Sequence, residues 1–186
     1  MTNWNKVITA LEFAAQRHKG QTRKGKNKSP YINHPISVMS TLSKFGEDSE
    51  NLLAAAALHD VIEDTAKQKE EIARLSSIIE DRFGSIVLKI VLEVSDDKSL
   101  PYQERKHLQV INTPQLSDDA KKLKIADKTC NISDLMMDPP LGWSKERKIA
   151  YLEWAKQVIE GARGVNYKLE KHFDVMVQES YNKLTD

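Results

Sequence analysis

Apolar residues recur at intervals of three or four along almost the whole chain, and this spacing constrains the fold more than any other feature of the sequence. Near the N-terminus, for example, Val7, Leu11 and Ala14 share one face of a helix. No segment of more than a few residues shows the period-two alternation that is typical of a half-buried strand. The sequence therefore predicts an all-α fold, a helical bundle without a sheet.

Glycine, proline and capping residues divide this pattern into successive helices. Gly46 can end one helix, Ser144 and Asn166 can cap two others, and the residue before Pro114 disfavours helical backbone. The predicted helices span residues 7–18, 35–46, 52–60, 72–83, 86–94, 101–111, 117 to the Pro139-Pro140 pair, 144–161 and 166–181. No linker divides the 186 residues, so we expect a single domain over residues 1–186, with the last helix packed on its core.

The charge balance and the single cysteine limit the classes of partner and compartment. There are 28 Lys and Arg against 27 Asp and Glu, a net charge of +1, so nucleic acid is not an expected partner. Cys130 has no second cysteine to pair with, which suits a reducing compartment. The longest apolar run, residues 52–58, is too short to span a bilayer, and the N-terminus does not resemble a signal peptide. We therefore expect a cytoplasmic protein that does not enter a membrane.

Four residues from three separated segments can form a metal site: His34, His59, Asp60 and Asp127. A lone His near an apolar face is more often a hydrogen-bonded core residue. However, Asp60 follows an apolar helix and Asp127 lies on another apolar face, where an ionised carboxylate is costly to bury. One divalent cation would compensate both burials. Two His and two Asp without a thiolate favour Mn²⁺ or Fe²⁺, with Zn²⁺ as an alternative.

An acidic pair, Glu63 and Asp64, follows His59 and Asp60 by one helical turn. A solvated helix end is the simplest interpretation of such a pair. However, the pair comes just past the C-terminal end of the predicted helix, and acidic side chains are unfavourable near the negative end of a helix dipole. We therefore expect a functional role, in which one carboxylate orients an attacking water or takes its proton.

Four basic residues outside this cluster, Arg23, Lys24, Lys98 and Arg147, belong to different segments. Singly, each is interpreted as a solvated surface charge. As a set they can line a cleft for a substrate with several phosphates, and Arg can also stack on a base. Cys130 has no base at a readable spacing, so we expect it to pack as a small apolar residue.

The order of these motifs resembles the HD-domain phosphohydrolases. The chain is most similar to the hydrolase domain of the RelA/SpoT superfamily in its stand-alone small-alarmone-hydrolase form, which includes the metazoan SpoT homologues. The resemblance covers residues 10–169. It rests on these motifs: Tyr31-Ile32-Asn33-His34-Pro35, His59-Asp60-Val61-Ile62-Glu63-Asp64-Thr65, and Ala126-Asp127-Lys128 followed by Asn131.

The resemblance implies a Mn²⁺-dependent hydrolase that removes the 3′-diphosphate of (p)ppGpp, giving pyrophosphate and GDP or GTP. One Mn²⁺ per chain would be held by His34, His59, Asp60 and Asp127. Glu63 and Asp64 would position and activate the attacking water. The substrate contacts implied are Asn131 near the ribose, with Tyr31, Arg23, Lys24, Lys98 and Arg147 near the base and phosphates.

Two departures from the family pattern bear on specificity. Ser133 stands where the family usually has Arg, and the loop over residues 25–29 is longer and more basic than the bacterial pattern. The alternatives are therefore a related hydrolase acting on (p)ppApp or on the 2′-phosphate of NADPH, and a non-catalytic partner that neutralises an alarmone synthetase. The chain is shorter than the long bifunctional enzymes of the superfamily, so we expect it only to degrade the alarmone.

Overall fold

The structure is a computed structural model that describes residues 3–185. Within this range it contains α-helices, one 3-10 helix and no strand, which confirms the predicted all-α fold. Only two isolated β-bridges occur there, Thr22 with Pro30 and Gly25 with Pro140. The helices are α1 (Trp4–Arg17), α2 (Asn33–Lys44), α3 (Glu50–Leu58), α4 (Val61–Thr65), α5 (Lys69–Phe83), α6 (Ser85–Val94), α7 (Tyr102–Asn112), the 3-10 helix (Thr113–Gln115), α8 (Asp118–Met137), α9 (Lys145–Glu160) and α10 (Tyr167–Thr185).

Helix α3 is the centre of the bundle. Every side chain from Leu52 to Leu58 is buried, and the helix packs against α1, α2 and α6. Its four consecutive alanines, residues 54–57, let the neighbouring helices approach closely, because a methyl group adds little to the helix radius. The longest apolar run is thus the core of the bundle. Within residues 3–185, no helix has the length and continuous hydrophobicity that a bilayer span requires.

The predicted caps are confirmed by hydrogen bonds. Ser144 Oγ accepts from the Arg147 N–H at 3.2 Å, and Asn166 Oδ1 accepts from the Leu169 N–H at 3.1 Å. Each side chain thereby satisfies one of the amide groups that the first turn of a helix leaves without a partner.

Helix α3 ends two residues before the predicted end at Asp60, and the acidic pair belongs to a helix of its own. Helix α3 ends at Leu58, and Glu63 and Asp64 lie in the first turn of the separate short helix α4. The His59 Nδ1 lies 2.8 Å from the Ala56 carbonyl oxygen, the acceptor that the Asp60 N–H would use in a continued helix. The two carboxylates therefore do not oppose the dipole of α3, and that argument for their function does not hold.

Helix α10 packs on α8 and α9, with Leu169 and Phe173 fully buried. It extends four residues beyond the predicted end, to Thr185. The turn before it depends on Glu170, whose side chain is buried. Glu170 Oε1 accepts three backbone N–H groups, from Gly164, Val165 and Asn166, each at 3.0 Å.

We expect Glu170→Ala to lower the free energy of unfolding by about 2 kcal/mol, because three amide groups lose a charged acceptor. Urea denaturation followed by circular dichroism measures this loss. Glu179→Ala, on the exposed side of the same helix, is the control. Equal midpoints for the two variants would contradict this role of Glu170.

Candidate metal and catalytic site

A cavity of about 430 Å³ opens between the segment after α1, the junction of α3 and α4, and the helices α7, α8 and α9. The predicted ligands His34, His59, Asp60 and Asp127 all line it. They come from the first turn of α2, the end of α3 and the middle of α8. Packing of α2 and α3 against α8 brings these three segments together.

The four side chains meet within contact distance of one another. His34 Nε2 lies 3.0 Å from Asp127 Oδ1 and 3.8 Å from Asp60 Oδ2. His59 Nε2 lies 3.0 Å from Asp60 Oδ2 and 3.9 Å from Asp127 Oδ1. Three of the residues, His34, His59 and Asp127, each place one ligand atom within 4.8 Å of the other two. One metal ion can bridge atoms at this spacing.

The hydrogen bonding of the His59 ring is compatible with a metal ion bound at its Nε2. Its Nδ1 is beside the Ala56 carbonyl, which fixes the ring proton on that nitrogen. The buried Nε2 then has no hydrogen-bond partner, and its lone pair faces the carboxylate of Asp60. Burial opposes protonation of this ring, but the Asp60 carboxylate raises the pKa of His59 to about 9. The distance of 3.0 Å between Nε2 and the Asp60 carboxylate favours a positive charge at this point, which a second proton or a metal ion can supply.

The two aspartates are ionised despite their surroundings. Burial alone would raise both pKa values, but His59 holds the pKa of Asp60 below its usual range. For Asp127, Lys128 and His34 outweigh burial in the same way and lower the pKa. Two carboxylates thus share a small volume with imidazole nitrogens, a donor set that suits a divalent cation.

The acidic pair lies beside this cluster and is held by partners of its own. Lys98 Nζ lies 2.9 Å from Glu63 Oε1 and 3.0 Å from Asp64 Oδ1, and the Asp96 N–H donates to Glu63 Oε2. Burial raises the pKa of Glu63, against the hydrogen bond from Asp96. A carboxylate with a raised pKa is better suited to accept a proton near neutral pH.

Tyr31 connects the pair to the ligand cluster. Its hydroxyl lies 2.7 Å from Asp60 Oδ2 and 2.6 Å from Asp64 Oδ2. A phenol has one proton to donate, so one of these two short contacts joins oxygens without a proton from Tyr31 between them. Burial and the carboxylate of Asp60 raise the pKa of Tyr31, which keeps the hydroxyl neutral.

The predicted substrate residues are only partly brought together. Arg23 pairs with Asp134 at 2.8 Å and donates to Asn131 Oδ1 at 2.6 Å. Asn131 in turn donates to Asp127 Oδ1 at 2.6 Å. Lys24 lines the cavity but is exposed.

Arg147 and Ser133 lie outside the lining of the cavity. The Arg147 guanidinium stacks over the ring of Trp143, 4.4 Å from its centroid, and Trp143 does line the cavity. Arg147 can therefore act on a ligand only through Trp143 or after a movement of its side chain. Cys130 is buried among apolar residues as expected, and burial raises the pKa of its thiol to about 11.

Several cavity residues were missed by the sequence analysis. Lys124 and Lys128 lie on the same face of α8 as Asp127 and Asn131, at a helical spacing that the sequence already showed. The aromatic wall had no such signal, because α9 reaches the cavity only by packing on α7 and α8. The missed lining residues of this wall and of α7 are Tyr102, Arg105, Lys106, Tyr151 and Trp154.

We expect the wild-type chain to retain about one equivalent of Mn²⁺ after incubation and desalting, and Asp60→Ala and His59→Ala to retain almost none. Each substitution removes a ligand and leaves the remaining charges unbalanced. Elemental analysis by mass spectrometry measures the metal content. Asp81→Ala, an exposed carboxylate on α5, is the control. Full occupancy in Asp60→Ala would remove this residue from the ligand set.

Comparison with known proteins agrees with this geometry. The HD domain family matches residues 10–150. Guanosine-3′,5′-bis(diphosphate) 3′-pyrophosphohydrolase MESH1 of Xenopus tropicalis is 45% identical over 174 residues, which cover 93% of this chain and 93% of that protein. The protein of the same name from Homo sapiens is 44% identical over 89% of each chain.

A solved structure gives the same result for the fold. It is described as a metazoan ortholog of SpoT that hydrolyzes ppGpp and plays a role in starvation responses. It superposes with a TM-score of 0.86 at 41% identity and covers 94% of both chains. The resemblance inferred from the motifs is confirmed: this chain belongs to the HD-domain family, alongside the stand-alone MESH1 proteins.

Proposed function

We propose that this chain is a metal-dependent hydrolase that removes the 3′-diphosphate of (p)ppGpp and releases pyrophosphate with GDP or GTP. The observation that carries the proposal is the ligand cluster with an acidic pair beside it in one cavity that lysine and arginine side chains also line. Relatives at 42–45% identity that carry this activity in their names support it.

The metal is proposed to be one Mn²⁺ per chain, held by His34, His59, Asp60 and Asp127. The mixture of imidazole and carboxylate ligands without thiolate supports this choice, and Fe²⁺ or Zn²⁺ would use the same donors. When bound, such an ion supplies Lewis acidity, which polarises a phosphoryl group and makes a nearby water more acidic. The hydrogen bond between His59 and Ala56 orients the imidazole for this role.

Glu63 is proposed to take the proton of the attacking water, with Asp64 as its partner in orienting that water. Lys98 holds both carboxylates in place through its contacts at 2.9 and 3.0 Å. Water attacks the 3′-phosphorus and the bond from phosphorus to the ribose O3′ breaks. The water oxygen remains in pyrophosphate, and the proton accepted by Glu63 balances the proton that O3′ gains.

The substrate is proposed to lie along the cavity face of α8. Arg23, Lys24 and Lys98 are the cations proposed for its phosphates, because a phosphate can displace or join the carboxylates that now pair with two of them. Tyr31 and Asn131 would contact the nucleoside, and Arg147 would contribute through its stack on Trp143. We propose that these helices form one hydrolase domain and that it acts in the cytoplasm.

A hydrolysis panel tests the proposal. With Mn²⁺, we expect pyrophosphate to be released from ppGpp and pppGpp faster than from pppApp, and faster than orthophosphate from NADPH. Product identification by ion-exchange chromatography distinguishes these reactions. Orthophosphate alone from every nucleotide would contradict the proposal. The absence of any turnover, with intact binding of an alarmone synthetase, would favour the non-catalytic alternative.

Glu63→Gln is expected to lower kcat on ppGpp by roughly 10²-fold or more, because the amide cannot accept the proton. The metal content of the variant should equal that of the wild type, since Glu63 is not among the proposed ligands. Steady-state kinetics together with elemental analysis measure both quantities. Glu12→Gln, an exposed residue on α1, is the matched control. Undiminished turnover in Glu63→Gln would exclude it as the base.

A further inference from the structure

The cations of the cavity differ in whether they have a counter-ion. Arg23 pairs with Asp134, Lys98 with the acidic pair, and Lys128 with Asp127 at 3.0 Å. Lys124 is the exception among the buried cations within residues 3–185. It is only 6% exposed, yet it makes no hydrogen bond there and has no carboxylate oxygen within 4.0 Å of its ammonium.

A largely buried lysine without a counter-ion is costly, because its ammonium has lost part of its hydration and gained no counter-charge. Burial, and then the neighbouring charge of Lys128, lower the pKa of Lys124 to about 8. Within the protein the nearest charges of opposite sign act on it only from a distance. An anion that enters the cavity would supply the missing charge.

Lys124 stands where two cavities meet. It lines the main cavity together with Asp127, which follows one turn later on α8. It also lines a second, smaller cavity of about 210 Å³ that lies behind α7. Arg105 and Gln109 of α7 line both cavities as well.

These two α7 side chains also have unused hydrogen-bonding capacity. Arg105 Nε and Gln109 Oε1 are buried without a partner among the described residues. The Gln109 amide donates to the carboxylate of Asp96 at 2.8 Å, and Arg105 approaches the same carboxylate only to 3.8 Å. Arg105 is thus paired with Asp96 only at this longer distance, and its Nε–H remains available to another acceptor.

The acidic residues of the second cavity have donors of their own. Asp97 accepts from the Ser99 N–H and hydroxyl, and Glu93 accepts from the Ser117 hydroxyl. These neutral donors orient the carboxylates, and none of the carboxylates lies within 4.0 Å of the Lys124 ammonium, so Lys124 has no close counter-ion at the junction. The second cavity is large enough for a small anion, whereas a nucleoside needs the wider main cavity with its aromatic wall.

We propose that Lys124 and Arg105 bind the distal phosphoryl group of the 3′-diphosphate at the junction of the two cavities. This inference rests on the proposed function, in which the reacting phosphorus lies beside Glu63 and Asp127. The distal phosphoryl group then points away from the nucleoside and toward the second cavity. Lys124 and Arg105 are specificity residues in this role, because they distinguish a diphosphate from a monophosphate.

Binding of inorganic pyrophosphate to the Mn²⁺-loaded chain tests the subsite without any turnover. Isothermal calorimetry with pyrophosphate and with orthophosphate should show tighter binding of pyrophosphate to the wild type. We expect Lys124→Met to weaken pyrophosphate binding by about 10- to 100-fold and to leave orthophosphate binding unchanged. Lys121→Met, on the same helix but outside both cavities, is the control.

Two further measurements separate this role from a structural one. Lys124→Met should unfold at a higher urea concentration than the wild type, because an unpaired buried charge has been replaced by an apolar chain of similar length. Arg105 is only half-buried, and no residue of α7 belongs to the apolar core, so Arg105→Gln should fold normally and also weaken pyrophosphate binding.

The outcomes distinguish the inference from the proposed function. Unchanged pyrophosphate binding in both variants would overturn the subsite, even if ppGpp is hydrolysed. Weakened binding in both, in a chain that does not hydrolyse ppGpp, would support the subsite and refute the proposed function. With an active chain, Lys124→Met should lower kcat/KM for ppGpp by at least tenfold more than for the guanosine 5′-diphosphate 3′-monophosphate analogue.

Discussion

The close contact of two ionised aspartates with two buried imidazoles, inside a bundle whose core is otherwise apolar, is the constraint on which the rest of the site depends. Asp60 and Asp127 belong to segments far apart in the chain, and their negative charges lie within 4 Å of the same pair of rings. Such a group of charges persists in a low-dielectric interior only if positive charge is placed among them. The surrounding cations and the orientation of His59 both follow from that requirement.

Helix α8 makes this arrangement possible because its two faces have different surroundings. One face, with Ile125 and Ile132, is fully buried against the bundle. The opposite face presents Asp127 and Asn131 to the cavity. Because its apolar face holds this long helix in place, the distances between the side chains on its polar face are fixed. The site therefore does not depend on a loop to position these residues. The same face also carries the lysine that has no counter-ion.

Much of this molecule follows from its sequence. The helical period predicted the all-α fold because burial of one face requires the same spacing in any bundle. The ligands His34, His59, Asp60 and Asp127 were identified because a charged residue on an apolar face is costly and needs an explanation. The dipole cost expected at Glu63 and Asp64 was wrong, since the pair lies in the first turn of the separate helix α4. No local pattern in the sequence shows that a new helix begins directly after α3.

The sequence by itself thus determined the helices, the apolar core and the chemical types that meet at the site. Tertiary structure alone decided which charges are paired, because pairing depends on distances between residues about a hundred positions apart, as between Arg23 and Asp134. It also brought the aromatic wall of α9 to the cavity and left Lys124 without a partner. These features arise from how the helices pack against one another. Packing depends on the three-dimensional fit between whole helix faces, which the order of residues along a single helix does not specify.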